Sequence, residues 1–284
     1  MIGAIIGDIV GSVYEFQNSR GCKNFPLFSE GSTFTDNTVC TVAIAEAILD
    51  GSDIAASLRK WCLKYRKISY SHAFRDWLSS DNPQPYNSWG NGSAMWISPA
   101  AFLSPSLEYT RNLVIKASEV THNHPEVLKS ALATADTIWL LAQGPYEKEG
   151  VRQFITSNYG YDLNRRVNEI HPSCEVNESC QGTVPEAIIC ALEGTDFEDA
   201  IRNAISIGGD SGTVAAIAGS IAEFSAEFGI PADISLEAIK RLPDDLRAVV
   251  IRMYDESGRH TGGYRTRLPA LNSRLPTGFF NLRK

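Results

Sequence analysis

No stretch of this sequence stays apolar for the roughly 20 residues that a membrane-spanning helix requires. Met1 leads straight into Ile-Gly-Ala-Ile-Ile-Gly-Asp, with no basic signal region ahead of it. The expectation is a cytoplasmic protein. An excess of positive charge is also missing: the formal net charge is −7, which argues against general nucleic-acid binding through phosphates. The six cysteines, Cys22, Cys40, Cys62, Cys174, Cys180 and Cys190, contain no Cys-x-x-Cys pair. Several lie inside apolar helical runs, so they read as reduced, buried thiols rather than zinc ligands. Linkers, internal repeats and low-complexity tracts are absent, and the alternating pattern of strands is scarce.

What the sequence does have is helical periodicity in a chain large enough for a substantial core, 284 residues at 43% hydrophobic. Apolar spacing predicts helices over about 2–16, 36–50, 53–65, 71–79, 107–120, 126–143, 147–158, 184–193, 196–206, 211–228, 235–241 and 243–257. A small-residue turn at Gly90-Asn91-Gly92-Ser93 runs into a further helix, and Trp61 and Trp77 are expected in the core. The expected fold is all-α, with one compact domain over 1–258. From Arg259 the chain changes character: Arg259, Arg265, Arg267, Arg274, Arg283 and Lys284 occur without any acid, among Gly262-Gly263, Pro269 and Pro276. Residues 259–284 are expected to form a basic, extended tail.

Two segments carry most of the chemistry. Phe34-Thr35-Asp36-Asn37-Thr38 opens the apolar run from Val39, and Gly208-Gly209-Asp210-Ser211-Gly212-Thr213 opens the run from Val214. Either set can simply cap its helix by accepting backbone N–H bonds. Together they place two matching sets of hard oxygen donors at helix starts, the kind that suits Mg²⁺, Mn²⁺ or Ca²⁺. That reading requires Asp36 and Asp210 to share one cleft.

Other features are weaker alone. Gly3, Gly7 and Gly11 are spaced by four, which puts them on one helical face where a second helix can approach closely; a dinucleotide Gly-x-Gly-x-x-Gly loop needs a different spacing. Glu15 is expected at the end of that first helix, where the helix dipole disfavours a carboxylate. A surface acid and a functional one are equally compatible with that position. The Gly90–Ser93 turn can present backbone N–H groups to a phosphate, or merely connect helices. His122 and His124 share a short loop without a partnering thiol or His-Glu-x-x-His pattern, so His122 reads as a contact to a polar ligand and His124 as a solvated loop residue.

Taken in order, Gly3-Ala-Ile-Ile-Gly-Asp-Ile-Val-Gly-Ser-Val-Tyr-Glu15, Thr35-Asp36-Asn37-Thr38, Gly90-Asn-Gly-Ser-Ala-Met95, Thr121-His122, Cys180-Gln-Gly-Thr-Val-Pro-Glu-Ala187 and Ile207-Gly-Gly-Asp-Ser-Gly-Thr-Val214 resemble the motifs of the ADP-ribosylglycohydrolases. This family includes dinitrogenase-reductase-activating glycohydrolase and the ADP-ribosyl-acceptor hydrolases. The resemblance implies a compact all-α fold and removal of ADP-ribose from an acceptor, assisted by Mg²⁺ or Mn²⁺. It also implies ADP-ribose or an ADP-ribosylated protein as partner, and a monomer. By similarity, Thr35, Asp36, Asp210 and Thr213 match metal-ligand positions, with Asn37 a weaker ligand. Glu15, Asp36 and Asp210 match catalytic positions. Gly90, Asn91, Gly92, Ser93 and His122 match positions that line the ADP-ribose cleft.

The chain departs from the family pattern at three places. Asn37 stands where the first motif has its second acid, Gly212 where the second motif has its second acid, and Trp96 where many relatives carry Arg, with an expected effect on the cleft wall. Asp36 and Asp210 alone supply a charge of −2, enough to neutralise one divalent ion, so one ion is expected rather than two. The resulting alternatives are a metal-assisted hydrolase weakened by Asn37 and Gly212, and an ADP-ribose-binding or immunity-type protein without turnover.

Overall fold

The computed structural model describes residues 1–15, 22–143, 147–170, 178–225 and 229–260, without the side chains of 143 and 258–260. Among these residues there are fifteen helices, and the one extended pairing is an isolated antiparallel bridge between Gly90 and Ser179. The fold is all-helical, as expected.

Two helices at the centre have no polar face. All ten residues of α1 (Ile2–Gly11) and all twelve of α13 (Ser211–Ala222) are buried, the pattern of helices enclosed on every side. They pack antiparallel through the face predicted from the spacing of Gly3, Gly7 and Gly11. A Cβ on Gly3 would stand 2.1 Å from the Gly219 carbonyl oxygen, one on Gly7 2.0 Å from that of Ala215, and one on Gly11 2.6 Å from Gly212 Cα. Only hydrogen side chains allow the two backbones this approach. The register brings the C-terminal end of α1 beside the first turn of α13.

The remaining helices surround this pair. Oxygen-bearing caps fix many of their starts: Thr35 for α2 (Asp36–Asp50), Asp53 for α3 (Ile54–Lys64), Ser71 for α4 (His72–Ser79) and Ser106 for α7 (Leu107–Glu119). Two five-residue helices, α5 (Gly92–Trp96) and α6 (Ser98–Phe102), lie between α4 and α7. They are followed by α8 (Pro125–Gln143), α9 (Lys148–Tyr159) and the single turn α10 (Val167–Ile170). Ser179 caps α11 (Cys180–Glu193) and Asp196 caps α12 (Phe197–Ser206); both helices pack on α13. The chain closes with α14 (Ala232–Lys240) and α15 (Asp244–His260).

Several boundaries differ from the periodicity. α1 stops at Gly11, because Ser12 Oγ bonds back to the Ile9 carbonyl at 2.9 Å and the chain turns through 12–15. Glu15 therefore sits in a turn beyond the helix rather than at its last residue. α11 begins at Cys180, four residues before its apolar run, since Ser179 accepts from Gly182 N–H and Pro185 is tolerated inside the helix. α13 ends at Ala222, and 226–228 lie outside the described residues. α15 runs to His260, past the expected domain edge at 258, while 261–284 of the basic tail lie outside the described residues.

Trp61 and Trp77 are core residues at 4% and 3% exposure. Five cysteines are described and none is in a disulfide; Cys40, Cys62, Cys180 and Cys190 are buried, whereas Cys22 is exposed, contrary to expectation. Cys174 lies outside the described residues. Among the described residues no helix is long and apolar enough to cross a membrane.

Candidate active site

The two oxygen-rich helix starts meet beside the end of α1, and Asp8, a carboxylate inside the Gly3–Glu15 motif but given no role of its own there, fastens one of them. Asp8, in the middle of α1 and fully buried, accepts four hydrogen bonds from the first turn of α2. Thr35 N–H donates at 2.8 Å, Thr38 N–H at 3.1 Å and Thr38 Oγ1 at 2.5 Å, and the Thr35 hydroxyl donates as well. Two of the otherwise unpaired N–H groups at this helix start are thus satisfied from another helix. Burial raises the pKa of Asp8, and these four bonds pull against that rise. The signal was legible in principle: Asp8 is the one charged residue in a ten-residue apolar helix.

Thr35 sends its hydroxyl proton to Asp8, so its lone pairs receive the Asn37 side-chain N–H at 3.1 Å. That bond orients the Asn37 amide. Its carbonyl oxygen is left buried without a hydrogen-bond partner, on a residue only 3% exposed. An unpaired buried acceptor costs about 1–3 kcal/mol, a cost that a bound cation would offset.

Asp36 follows the Thr35 cap. Its pKa is pushed up to about 7, first by burial and then by the charges of Asp8 and Asp210. The charge of Asp210 thus reaches Asp36, and both helix starts border the end of α1: Asp8 holds the start of α2 and Gly11 meets Gly212 in the first turn of α13. Asp210 caps α13 after Gly208 and Gly209, whose φ angles of 80° and 75° put this turn in the left-handed region that glycine tolerates. Its carboxylate takes a bond from the Asn91 amide at 2.8 Å and one from Thr213 N–H at 3.3 Å. Asn91, also held by Thr183 Oγ1 at 3.1 Å, thus ties the Gly90–Ser93 turn to the start of α13.

Glu15 completes the group. Its pKa is pushed up to about 8 by burial and by the charges of Asp210, Asp8, Asp36 and Glu178. Its carboxylate lies over Gly212: a Cβ there would stand 2.2 Å from Glu15 Oε1.

The other expected site residues are placed as follows. Gly90 and Gly92 flank Asn91 at the start of α5. The Ser93 side chain is fully buried and donates to Ser118 Oγ at 3.0 Å, joining α5 to α7 rather than facing a cleft. His122 is 6% exposed, with Nδ1 paired to Thr121 Oγ1 at 2.6 Å and its ring 5.4 Å from those of Tyr86 and Trp96. A Cβ on Gly92 would come within 3.2 Å of His122 Nε2. Burial lowers the His122 pKa to about 4, which keeps the imidazole neutral at ordinary pH. His124 accepts from Glu126 N–H at 3.2 Å near the start of α8 and is half-buried, not solvated. Thr213 turns its hydroxyl toward Met95 Sδ at 3.9 Å. Trp96 is 2% exposed, packed against Phe74 and His122. It therefore belongs to the core and not to the cleft wall.

In kind, these donors fit a hard divalent cation: the carboxylates of Asp36, Asp210 and Glu15, hydroxyls of Thr35 and Thr213, and the unpaired Asn37 carbonyl. Burial raises Glu15 and Asp36 first and the neighbouring carboxylates add to it; a cation would offset both effects by favouring the charged forms. Among the described residues, however, no three His, Cys, Asp or Glu side chains are gathered closely enough to form a ready-made cage. The neutral oxygens must contribute to any coordination here.

Known proteins show the same arrangement of helices. A solved structure described as an ADP-ribosylglycohydrolase-related protein complex shares the fold, with a TM-score of 0.63 over 90% of this chain and 98% of its own, at 22% identity. An uncharacterized protein of Archaeoglobus fulgidus is 26% identical, with 78% of this chain and 84% of that protein covered. The family model for ADP-ribosylglycohydrolase matches residues 1–262, from α1 through the end of α15. Because that match embraces both helix starts and the α1–α13 pair that brings them together, the chain belongs to the ADP-ribosylglycohydrolase family.

Proposed function

We propose that this chain hydrolyses the glycosidic bond between ADP-ribose and a modified acceptor, with Mg²⁺ or Mn²⁺ held between the starts of α2 and α13. The observation that supports this reading is that the helix starts bearing Asp36 and Asp210, far apart in sequence, both border the end of α1, with Glu15 from the following turn over Gly212. Asp36 and Asp210, with Thr35, Thr213 and the Asn37 carbonyl, would hold the ion. One ion is favoured, since the carboxylates must also overcome the partial positive charge of both helix N-termini. When bound, the ion supplies electrophilic polarisation of sugar oxygens.

The chain's own residues do the rest. Asp8 fixes the Thr35 and Thr38 hydroxyls, and Asn91 fixes the Asp210 carboxylate, so the oxygens are set before substrate arrives. Glu15 would hold or move a proton as the bond to the acceptor breaks through an oxocarbenium-like state and water adds to the sugar. Neutral His122, behind Gly92, supports the Gly90–Gly92 turn as one wall for the ADP-ribose.

Asn37 and Gly212 favour a second reading, binding of ADP-ribose without turnover. Release of ADP-ribose from mono-ADP-ribosylated protein, with Mg²⁺ and after chelation, tests the first. Calorimetric binding of ADP-ribose without any release would establish the second. Anomalous scattering from Mn²⁺-soaked crystals tests the number of ions, and two fully occupied positions at low millimolar metal would refute the single-ion reading.

A further inference from the structure

We infer that Glu15 takes the place of the acid missing at position 212, so that the carboxylate which the family pattern puts on α13 reaches the site here from the turn after α1. The geometry is direct. The three atoms nearest to a Cβ built on Gly212 all belong to Glu15: Oε1 at 2.2 Å, Cδ at 3.2 Å and Cγ at 3.6 Å. Side chains at 15 and 212 therefore compete for one volume, and glycine at 212 is what lets Glu15 occupy it.

The helix register explains how Glu15 gets there. Gly11 meets Gly212 backbone to backbone, and four residues further along, past the turn at 12–15, the chain brings the Glu15 carboxylate over the first turn of α13. An independent sign of a ligand at the other helix start is Asn37, whose buried carbonyl oxygen has no partner and whose amide sits against Thr35. A cation held between the helix starts would draw its charged oxygens from Asp36 on α2, Asp210 on α13 and Glu15 over Gly212, which would close around it only on binding, since no three of them form a ready-made group without it. Gly212 is then not simply a lost ligand: an acid restored there without moving Glu15 collides with the carboxylate already present.

This inference rests on the metal reading of the site, and a binding cycle separates the two. Mn²⁺ is titrated into the full chain by calorimetry, with free Mn²⁺ followed by electron paramagnetic resonance. Glu15→Gln is expected to weaken Mn²⁺ binding by at least about tenfold, the scale of a lost supporting group at a metal. Gly212→Ala should weaken it in the same direction although no charge changes, because its methyl displaces Glu15. Its melting temperature should hold or rise, since alanine is the better helix former. Gly212→Asp alone should give no gain, whereas Gly212→Asp combined with Glu15→Ala should bind at least about tenfold better than Glu15→Ala alone. Wild-type affinity in both Glu15→Gln and Gly212→Ala would overturn the inference while leaving the metal reading standing. A gain in affinity from Gly212→Asp whatever occupies position 15 would overturn it in the same way. Absence of Mn²⁺ binding by the wild-type chain would overturn both.

Discussion

Asn37 and Asp8 show how much a single side chain decides at this site. Asn37→Asp would convert the unpaired carbonyl into a charged ligand, and Mn²⁺ affinity measured calorimetrically should rise at least about tenfold, by the scale of metal-site substitutions. The same change removes the amide bond to Thr35 and adds a like charge beside Asp36, so without metal the variant should melt at a lower temperature than wild type. Asp8→Asn presents the opposite case. The amide offers one acceptor oxygen where four donors now converge, and hydrogen bonds to a charged group are worth about 1.5–3 kcal/mol each. Urea unfolding should show a loss of about 2–4 kcal/mol, with Mn²⁺ binding falling because Thr35 is no longer held. The sequence made Asp36 and Asp210 legible through their position at helix starts. It made Asp8 visible only as an anomaly, because periodicity says that a residue is buried and not which donors meet it there. The burial of Ser93 and Trp96 was hidden for the same reason: each lies in a short helix whose inward face depends on α7, α4 and the His122 loop.

At the scale of elements, the α1–α13 contact decides where the site can form. Gly7→Ala would force a methyl to within 2.0 Å of the Ala215 carbonyl oxygen, backbone that cannot swing aside. Overpacking usually costs about 1–3 kcal/mol, and an inflexible neighbour puts this substitution at or above the upper end. Gly150, in α9, has open space where its Cβ would go and should respond oppositely. Gly150→Ala is expected to stabilise by about 0.5–1 kcal/mol, the helix-propensity difference. Urea midpoints for the two variants check both signs, and equal effects would show that helix propensity rather than close approach governs Gly7. The spacing of Gly3, Gly7 and Gly11 revealed that some helix approaches this face. Which helix, and in which direction, was not legible, because α13 lies about two hundred residues further on and its own face mixes Gly219 and Gly212 with Ala215. Local signals governed the boundaries that were missed: Ser12 ended α1 early, and Ser179 started α11 before its apolar run.

The whole molecule carries the electrostatic consequence of gathering these carboxylates, and pH exposes it. A carboxyl whose pKa is higher folded than unfolded binds more protons in the native state, so stability falls as pH climbs between the two values. Glu15 moves from 4.5 to about 8 and Asp36 from 3.8 to about 7. Both therefore oppose folding increasingly across that window. His122 has the reverse sign: it falls from 6.5 to about 4, so the native state binds fewer protons and its contribution is lost as pH drops below 6.5 toward 4. Below pH 6.5 the two slopes oppose each other; above it His122 is silent, and the two carboxylates are opposed by the buried Met1 amino group, whose pKa burial lowers from 8.0. Thermal melts in the presence of a chelator should therefore show a melting temperature that declines from pH 6.5 to pH 8. Mg²⁺ favours the ionised carboxylates, so saturating Mg²⁺ should flatten or reverse that decline. Glu15→Gln should reduce the slope without metal, because the variant has no proton to lose at that position. A metal-free melting temperature that is level or rising from pH 6.5 to pH 8 would mean that the carboxylates at the two helix starts are not the strained, mutually repelling group described here.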